Sequence, residues 1–108
     1  MTAPFVTQLR ARRDALPLAA PGAPAISVRV EMPEVWDTVA AVVSPDEAVI
    51  LLKLRALDAL FPDGGLQEDF VLKLRGWEVL DEQASLAAVG AVNGSIFLLT
   101  HRRRRPVR

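Results

Sequence analysis

The stretch from Phe70 to Thr100 constrains the fold of this chain most, because turn signals divide it into short segments of strand composition. The segment Phe70–Leu74 is predicted to be a strand, with alternate side chains on opposite faces of a sheet. Arg75-Gly76 follows directly, and glycine adopts a positive φ without steric cost. A tight hairpin is therefore predicted, with a short returning strand over Trp77–Leu80.

The rest of this stretch predicts a polar break, one turn of helix and a final strand. Ser85 has an N-capping side chain and Gly90 is a typical helix stop, so the residues between them are predicted to form a short helical turn. Asn93-Gly94 is a second turn signal. The segment Ser95–Thr100 is then predicted to be the last strand.

The residues before this stretch predict two more strands and one helix. Ile26–Val30 alternates apolar and polar side chains, and Trp36–Val43 is rich in β-branched residues. Ser44 is a candidate N-cap, and Pro45 suits the first turn of a helix. We expect a helix over residues 46–60. Its apolar stripe toward the sheet would consist of Val49, Leu52, Ala56 and Leu60, widened by Ile50, Leu54 and Leu57.

The order of these segments carries a resemblance to a known family. The matching features are the hairpin through Gly76, a strand ending at Leu80-Asp81, the turn beginning at Ser85-Leu86, the turn at Asn93-Gly94, and a final strand leading into arginines. The junction Val43-Ser44-Pro45-Asp46 before the helix fits the same pattern. Over roughly residues 26–102, the chain resembles the ubiquitin-like family.

The resemblance implies an α+β fold, the ubiquitin-like β-grasp. This fold is a mixed sheet of four to five strands in the spatial order 2-1-5-3-4, with one main helix across one face. Residues 26–101 would form the domain, with an N-terminal arm of residues 1–25 before it and a basic tail of residues 102–108 after it. Within the arm, Pro4–Leu16 is predicted to form an amphipathic helix, and the proline-rich segment Pro17–Ala25 a linker.

Composition places the chain among globular single domains. Hydrophobic residues make up 51% of its 108 residues, and no apolar run approaches the ~20 residues that a membrane span needs. The N-terminus lacks a basic segment followed by a long apolar one, so we predict no secretory signal. With no cysteine there is no disulfide framework and no thiolate metal site. We therefore expect a cytoplasmic protein. The excess of Arg over Lys and the abundance of Ala, Val and Leu suggest a GC-rich bacterial genome.

The sequence offers little for catalysis. Its one histidine, His101, stands beside arginines and is predicted to be a solvated residue of the tail, with no serine or acid placed to form a triad. Gly64-Gly65 lacks the Lys and Ser/Thr of a phosphate-binding loop, and no carboxylate spacing resembles a calcium loop. We expect no enzyme activity, no cofactor and no metal.

The basic tail contains five arginines, Arg102, Arg103, Arg104, Arg105 and Arg108. The chain does not end in the Gly-Gly through which ubiquitin is conjugated, so we expect no covalent conjugation. The arginines could contact a polyanion, but no aromatic residues are interleaved with them and the rest of the chain is acidic. We do not expect nucleic-acid binding, and we interpret the tail as a solubilising end that shields the last strand.

The sheet face opposite the helix is the predicted binding surface, because relatives of ubiquitin often use it. If Ile96 and Leu98 face inward, strand alternation places Phe97 and Leu99 on that face. The complete predicted surface is Arg29, Val71, Lys73, Phe97 and Leu99, in which Lys73 matches the position of ubiquitin's central isoleucine. Either a partner or the N-terminal helix, through Phe5 and Leu9, would cover this apolar strip.

These expectations predict a binding module and not a modifier. We expect an adaptor that acts by non-covalent protein–protein interaction with a partner of unknown identity or with a second copy in a homodimer. The alternatives are a small-GTPase-binding domain, since Ras-binding domains share this fold, and a ubiquitin-like component of a bacterial secretion or antiviral conjugation system.

Overall fold

The computed structural model describes residues 15–62 and 66–102, and it contains one helix packed across one mixed sheet within those residues. The elements are β1 (Leu16–Pro17), β2 (Ile26–Met32), β3 (Asp37–Val43), α1 (Val49–Leu60), β4 (Phe70–Leu74), β5 (Trp77–Glu78) and β6 (Ile96–His101). Two 3-10 helices, Pro33–Val35 and Gln67–Asp69, precede β3 and β4. None of the described helices is long and apolar enough to cross a membrane.

The strand order in the described residues is β1-β3-β2-β6-β4-β5. The central pair, β2 and β6, is parallel, while β2–β3, β4–β6 and β4–β5 are antiparallel. The five strands of the predicted domain therefore lie in the predicted order, with β1 added beyond β3. The α+β β-grasp prediction is confirmed, and the sheet is one strand wider than expected.

The added strand β1 corrects the prediction for the end of the N-terminal arm. Leu16 was expected to end a helix and Pro17 to begin a linker, but both pair in parallel with Ala41 and Val42 of β3. The physical reason is that a residue before proline is pushed toward extended backbone, and proline is tolerated on an edge strand. The rest of the predicted helix, which contains Phe5 and Leu9, lies outside the described residues.

The helix α1 begins at Val49, three residues later than predicted. The Ser44 hydroxyl accepts the Asp46 N–H over 3.1 Å, which closes a turn before the helix. The first helical N–H groups are capped by a distant loop instead, because Val49 donates to the Ala84 carbonyl over 2.9 Å and Ile50 to the Glu82 carbonyl over 2.8 Å. The predicted apolar stripe is buried, whereas Leu54 is 43% exposed.

The predicted facing of the last strand is wrong. Phe97 and Leu99 are fully buried, and Ile96 is 48% exposed. The register decides this, because Phe97 pairs with inward-facing Val30 of β2 and Leu99 with inward-facing Leu72 of β4. Paired residues on neighbouring strands share a face, so the odd-numbered residues of β6 enter the core.

The turn predictions agree with the backbone. Arg75 and Gly76 both adopt positive φ, 55° and 84°, as a two-residue hairpin turn requires. The Ser85 hydroxyl accepts the Ala88 N–H over 3.0 Å, and Gly90 has a φ of 95°. The returning strand β5 is shorter than predicted and ends at Glu78.

Candidate functional site

The outer face of the sheet, the side turned away from α1, carries the candidate site. Strand alternation places Ile96 and Leu98 of β6 on this face, in the middle of the sheet. Arg29 of β2 lies opposite Ile96. Glu31 of β2 and Lys73 of β4 lie on either side of Leu98. An apolar line along the central strand is therefore bordered by charged residues on both neighbouring strands.

Exposure differs along this line. Ile96 is 48% exposed, while Leu98 and Lys73 are half-buried and Arg29 is exposed. Beside Ile96 lies a shallow hollow of about 260 Å³, bordered by Arg29, Ala40 and Ser95 among others. This end of the outer face therefore offers both an apolar side chain and a depression that a partner's side chain can enter.

The structure separates the five residues predicted to bind a partner. Arg29 and Lys73 lie on the outer face as predicted. Phe97 and Leu99 are in the core and cannot contact a partner in the folded state. Val71 points outward by alternation but is only 3% exposed. Sequence reasoning assigned Ile96 and Leu98 to the core. The large apolar side chain of Phe97 was an overlooked signal for the observed arrangement, in which Phe97 and Leu99 face inward.

The basic tail starts against the domain's own surface. The Arg102 backbone N–H donates to the Asp69 carbonyl over 2.7 Å, and its Nε donates to the Glu68 carbonyl over 3.0 Å. Its Nη1 also lies 3.4 Å from Glu78 Oε2. Arg102 is therefore occupied by contacts with the domain. The remaining tail arginines, Arg103, Arg104, Arg105 and Arg108, lie outside the described residues.

The prediction that His101 is solvated is confirmed, because its side chain is 56% exposed, but the residue belongs to the sheet and not to the tail. It is the last residue of β6, and its ring stacks on Phe70 with centroids 4.4 Å apart. The Glu34 carboxyl lies beside His101, and its burial tends to raise its pKa. It accepts hydrogen bonds from the Thr100 hydroxyl over 2.7 Å and from the His101 backbone N–H over 3.1 Å. These bonds outweigh burial, so the pKa of Glu34 is lowered. Glu34 thus ties the turn after β2 to the end of β6.

The two lysines of the chain have opposite environments. Lys53 on α1 is fully buried, and its Nζ lies 2.8 Å from Glu82 Oε2. Lys73 is half-buried on the outer face. The helical period could have revealed this difference, because Lys53 follows Val49 by four residues and so falls within the inward stripe. Lys53 is therefore a structural residue that is closed to partners and modifying enzymes.

Trp36, Trp77 and Leu80 are among the large apolar side chains that are exposed outside the outer face. Trp36 is 93% exposed and has a φ of 55°, so β3 starts one residue later than predicted. Trp77 is 79% exposed and Leu80 is 84% exposed, beside a hollow of about 220 Å³ at the β5 edge. Sequence reasoning placed Trp36 and Trp77 in strands without identifying their exposure.

The described residues contain no group of three or more His, Asp or Glu side chains that could hold a metal ion. Ion pairs between described residues include Lys53–Glu82, His101–Glu34 and Arg102–Glu78, and each joins one structural element to another.

Comparison of the chain with protein-family models and with curated proteins finds no match. Its structure does match solved structures. The ubiquitin of Caldiarchaeum subterraneum aligns with a TM-score of 0.63 at 13% identity, covering 75% of this chain and 98% of that one. The fold is ubiquitin-like. Two further ubiquitin-like domains align with it, one from an Arabidopsis thaliana protein and one from Plasmodium falciparum Dsk2.

The Arabidopsis domain has a TM-score of 0.60 at 19% identity and covers 83% of this chain and 90% of its own. The Dsk2 domain has a TM-score of 0.62 at 20% identity and covers 73% of this chain and 100% of its own. At these identities, the likeness establishes the ubiquitin-like fold.

Proposed function

We propose that this protein is a non-catalytic ubiquitin-like adaptor of the bacterial cytoplasm that binds another protein non-covalently through the outer face. The observation that carries the proposal is the apolar line of Ile96 and Leu98 on the central strand, with charged residues beside it on both neighbouring strands. An apolar centre within a charged rim is the usual anatomy of a protein interface.

The charged residues of the outer face would orient a bound partner. Arg29 and Glu31 lie on one side of β6 and Lys73 on the other, so the rim carries both signs. A partner must therefore carry charges of both signs at matching positions. This favours a folded protein surface over a polyanion, whose charges all have one sign. Arginine is also enriched at protein interfaces.

Site-specific photo-crosslinking in cells that make the protein naturally tests the proposal. A photo-reactive phenylalanine derivative is placed at position 96 or 98 on the outer face, or at exposed Asp46 in the turn before α1 as a control. We expect an adduct of one defined mass from positions 96 and 98 and none from position 46. Equal adducts from all three positions, or none from the outer face, would contradict the proposal.

The crosslinked protein, once purified, allows a quantitative test. Ile96→Asp should raise Kd by about tenfold or more, since truncating or charging a central interface residue costs ~1–3 kcal/mol. Asp46→Ala is the matched control and should leave Kd unchanged. The circular dichroism of both variants should equal that of the wild type, because both side chains lie at the surface. The identity of the partner would also show whether the protein is a component of a secretion system or of an antiviral conjugation system.

A small-GTPase-binding domain is the alternative, supported by exposed Arg55 on α1, the helix that packs beside β3. This alternative predicts binding that depends on the nucleotide of the GTPase. Titration with candidate small GTPases loaded with GTP or GDP measures it. Binding confined to the GTP form and abolished by Arg55→Glu would replace the outer-face proposal.

A further inference from the structure

A second surface lies at the β5 edge, residues 77–81, which is the edge of the sheet farthest from β1 in the described residues. Trp77 and Leu80 are largely exposed there, although both side chains are large and apolar. They border a hollow of about 220 Å³, whose lining also includes the buried side chains of Leu74 and Val79. The β5 edge therefore combines two protruding apolar side chains with a depression that a side chain can enter.

The hairpin that presents Trp77 is held by contacts with two other segments of the chain. Arg75 Nη2, in the turn, donates to the Gly90 carbonyl over 3.1 Å. Glu78 of β5 forms an ion pair with Arg102 at the end of β6. A surface that is fixed before binding loses little conformational entropy when a partner covers it.

The backbone of β5 can also pair on the side away from β4. The Val79 N–H donates to the Leu72 carbonyl over 2.8 Å. Because bonds to one neighbour alternate along an antiparallel strand, the N–H and C=O of Glu78, one residue earlier, point away from β4. Charged side chains commonly protect such an edge. Here the charge of Glu78 is partly offset, because its carboxylate contacts Arg102 and the residue lies opposite Lys73.

The β5 edge is suited to contact with a second copy of the same chain. In a two-fold symmetric dimer a patch meets itself, so it must contain both a projection and the depression that receives it. The β5 edge contains both, in Trp77 and the hollow beside it. A two-fold axis perpendicular to the sheet also sets the two β5 strands antiparallel. With 13 Lys and Arg against 13 Asp and Glu, two copies approach without net repulsion.

The polar groups at the hollow match the polar atom of a tryptophan side chain. Glu78 and Asp81 both line the hollow, and both are exposed. The indole N–H of a tryptophan usually finds a hydrogen-bond acceptor when it is buried. A tryptophan that enters this hollow would therefore find carboxylate acceptors beside it.

We propose that the protein forms a two-fold symmetric homodimer through the β5 edge, with Trp77 of each copy in the hollow of the other. This contact is separate from the outer face, so it stands or falls independently of the partner binding proposed above. The patch is small, and interfaces that bury less than about 1,200 Å² are typical of weak complexes. We therefore expect a Kd on the order of 0.1 mM.

Sedimentation equilibrium of the full-length protein, from about 10 μM to about 1 mM, tests the proposal. Trp77→Ser should raise the dimer Kd at least about tenfold, because buried tryptophans dominate the affinity of interfaces. Trp36→Ser is the matched control, since Trp36 is also exposed but lies in the turn between β2 and β3, and it should leave the Kd unchanged. Both variants change an exposed side chain, so their circular dichroism should equal that of the wild type.

Fluorescence locates the contact, because the chain has only these two tryptophans. In Trp36→Phe, the emission of Trp77 should shift to shorter wavelength as the concentration rises, since dimerisation removes its indole from water. In Trp77→Phe, the emission of Trp36 should stay constant over the same range.

Three results would overturn the proposal. The first is a protein that remains monomeric up to about 1 mM. The second is a dimer that Trp77→Ser and Trp36→Ser weaken equally. The third is a dimer that Trp77→Ser retains but about 0.5 M NaCl dissociates, since screening by salt would identify a contact between the arginine tail of one copy and acidic residues of the other.

Discussion

The two faces of strand β6 differ in burial, although both are formed by the same run of four apolar residues, Ile96 to Leu99. Phe97 and Leu99 are fully buried in the core, whereas Ile96 is 48% exposed and Leu98 is half-buried on the outer face. Hydrophobicity is nearly constant along this segment, so it cannot explain the difference. Pairing with β2 and β4 fixes which alternate residues of β6 face the core. Those residues stabilise the fold, while the residues between them are available for binding.

The largest effect on stability should come from truncating a buried residue of β6, and truncating its exposed neighbour provides the comparison. Phe97→Ala should lower the free energy of unfolding by ~3–5 kcal/mol, because it leaves a cavity in the core. Ile96→Ala, the matched control one residue away, should cost at most about 1 kcal/mol, as surface substitutions do. Urea denaturation measures both values. Similar losses from the two variants would mean that the assigned phase of β6 is wrong.

The two lysines provide a second comparison of buried and exposed positions. Glu82→Ala should lower the free energy of unfolding by ~3 kcal/mol, because the Lys53 ammonium would remain buried without its carboxylate. This is the lower end of the range for broken buried pairs, since the Glu82 side chain is 18% exposed. Lys73→Ala should change stability by less than about 0.5 kcal/mol.

Replacing both members of the buried pair sharpens this comparison. Lys53→Met combined with Glu82→Gln should recover most of the loss, since an apolar side chain of similar length removes the need for the pair. Denaturant midpoints of the single and double variants form the test. A double variant as unstable as Glu82→Ala would show that the loop, and not the ion pair, carries the effect.

The smallest effect concerns Glu34, which joins the top of β2 to β6. Its pKa is lowered in the folded protein, so its ionised form stabilises the fold above its ordinary pKa. That contribution is lost as the pH falls below about 4.5 and through the folded-state pKa. Glu34→Gln should be less stable than the wild type by at most ~0.5 kcal/mol near neutral pH, because solvent screens the contacts of this exposed carboxylate, and the difference should vanish in acid.

Unfolding free energies from about pH 7 to about pH 3 check this prediction. Thr100→Val is a matched variant that removes only the hydroxyl donor, and it should show the same pH dependence with a smaller amplitude. A difference between the wild type and Glu34→Gln that stays constant with pH would contradict the assigned role of the carboxylate.

Much of the fold and part of the candidate site could be predicted from the sequence. Alternation in β2 placed Arg29 outward, and alternation in β4 did the same for Lys73, since polar residues mark the outer positions there. Ile96 and Leu98 were missed because β6 has four apolar residues in succession, and such a run has no polar member to identify its phase. The pairing of Phe97 with Val30 supplies that information, and it joins residues far apart in the chain.

The sequence by itself determined the turns and the order of the elements. Arg75-Gly76, Ser85 and Gly90 act through steric and hydrogen-bonding preferences that extend over only a few residues. Only the tertiary structure decided the phase of β6, the start of α1 at Val49 and the pairing of β1 with β3. Each of these depends on hydrogen bonds or packing between distant segments, whose free energy exceeds local preference once the core has formed.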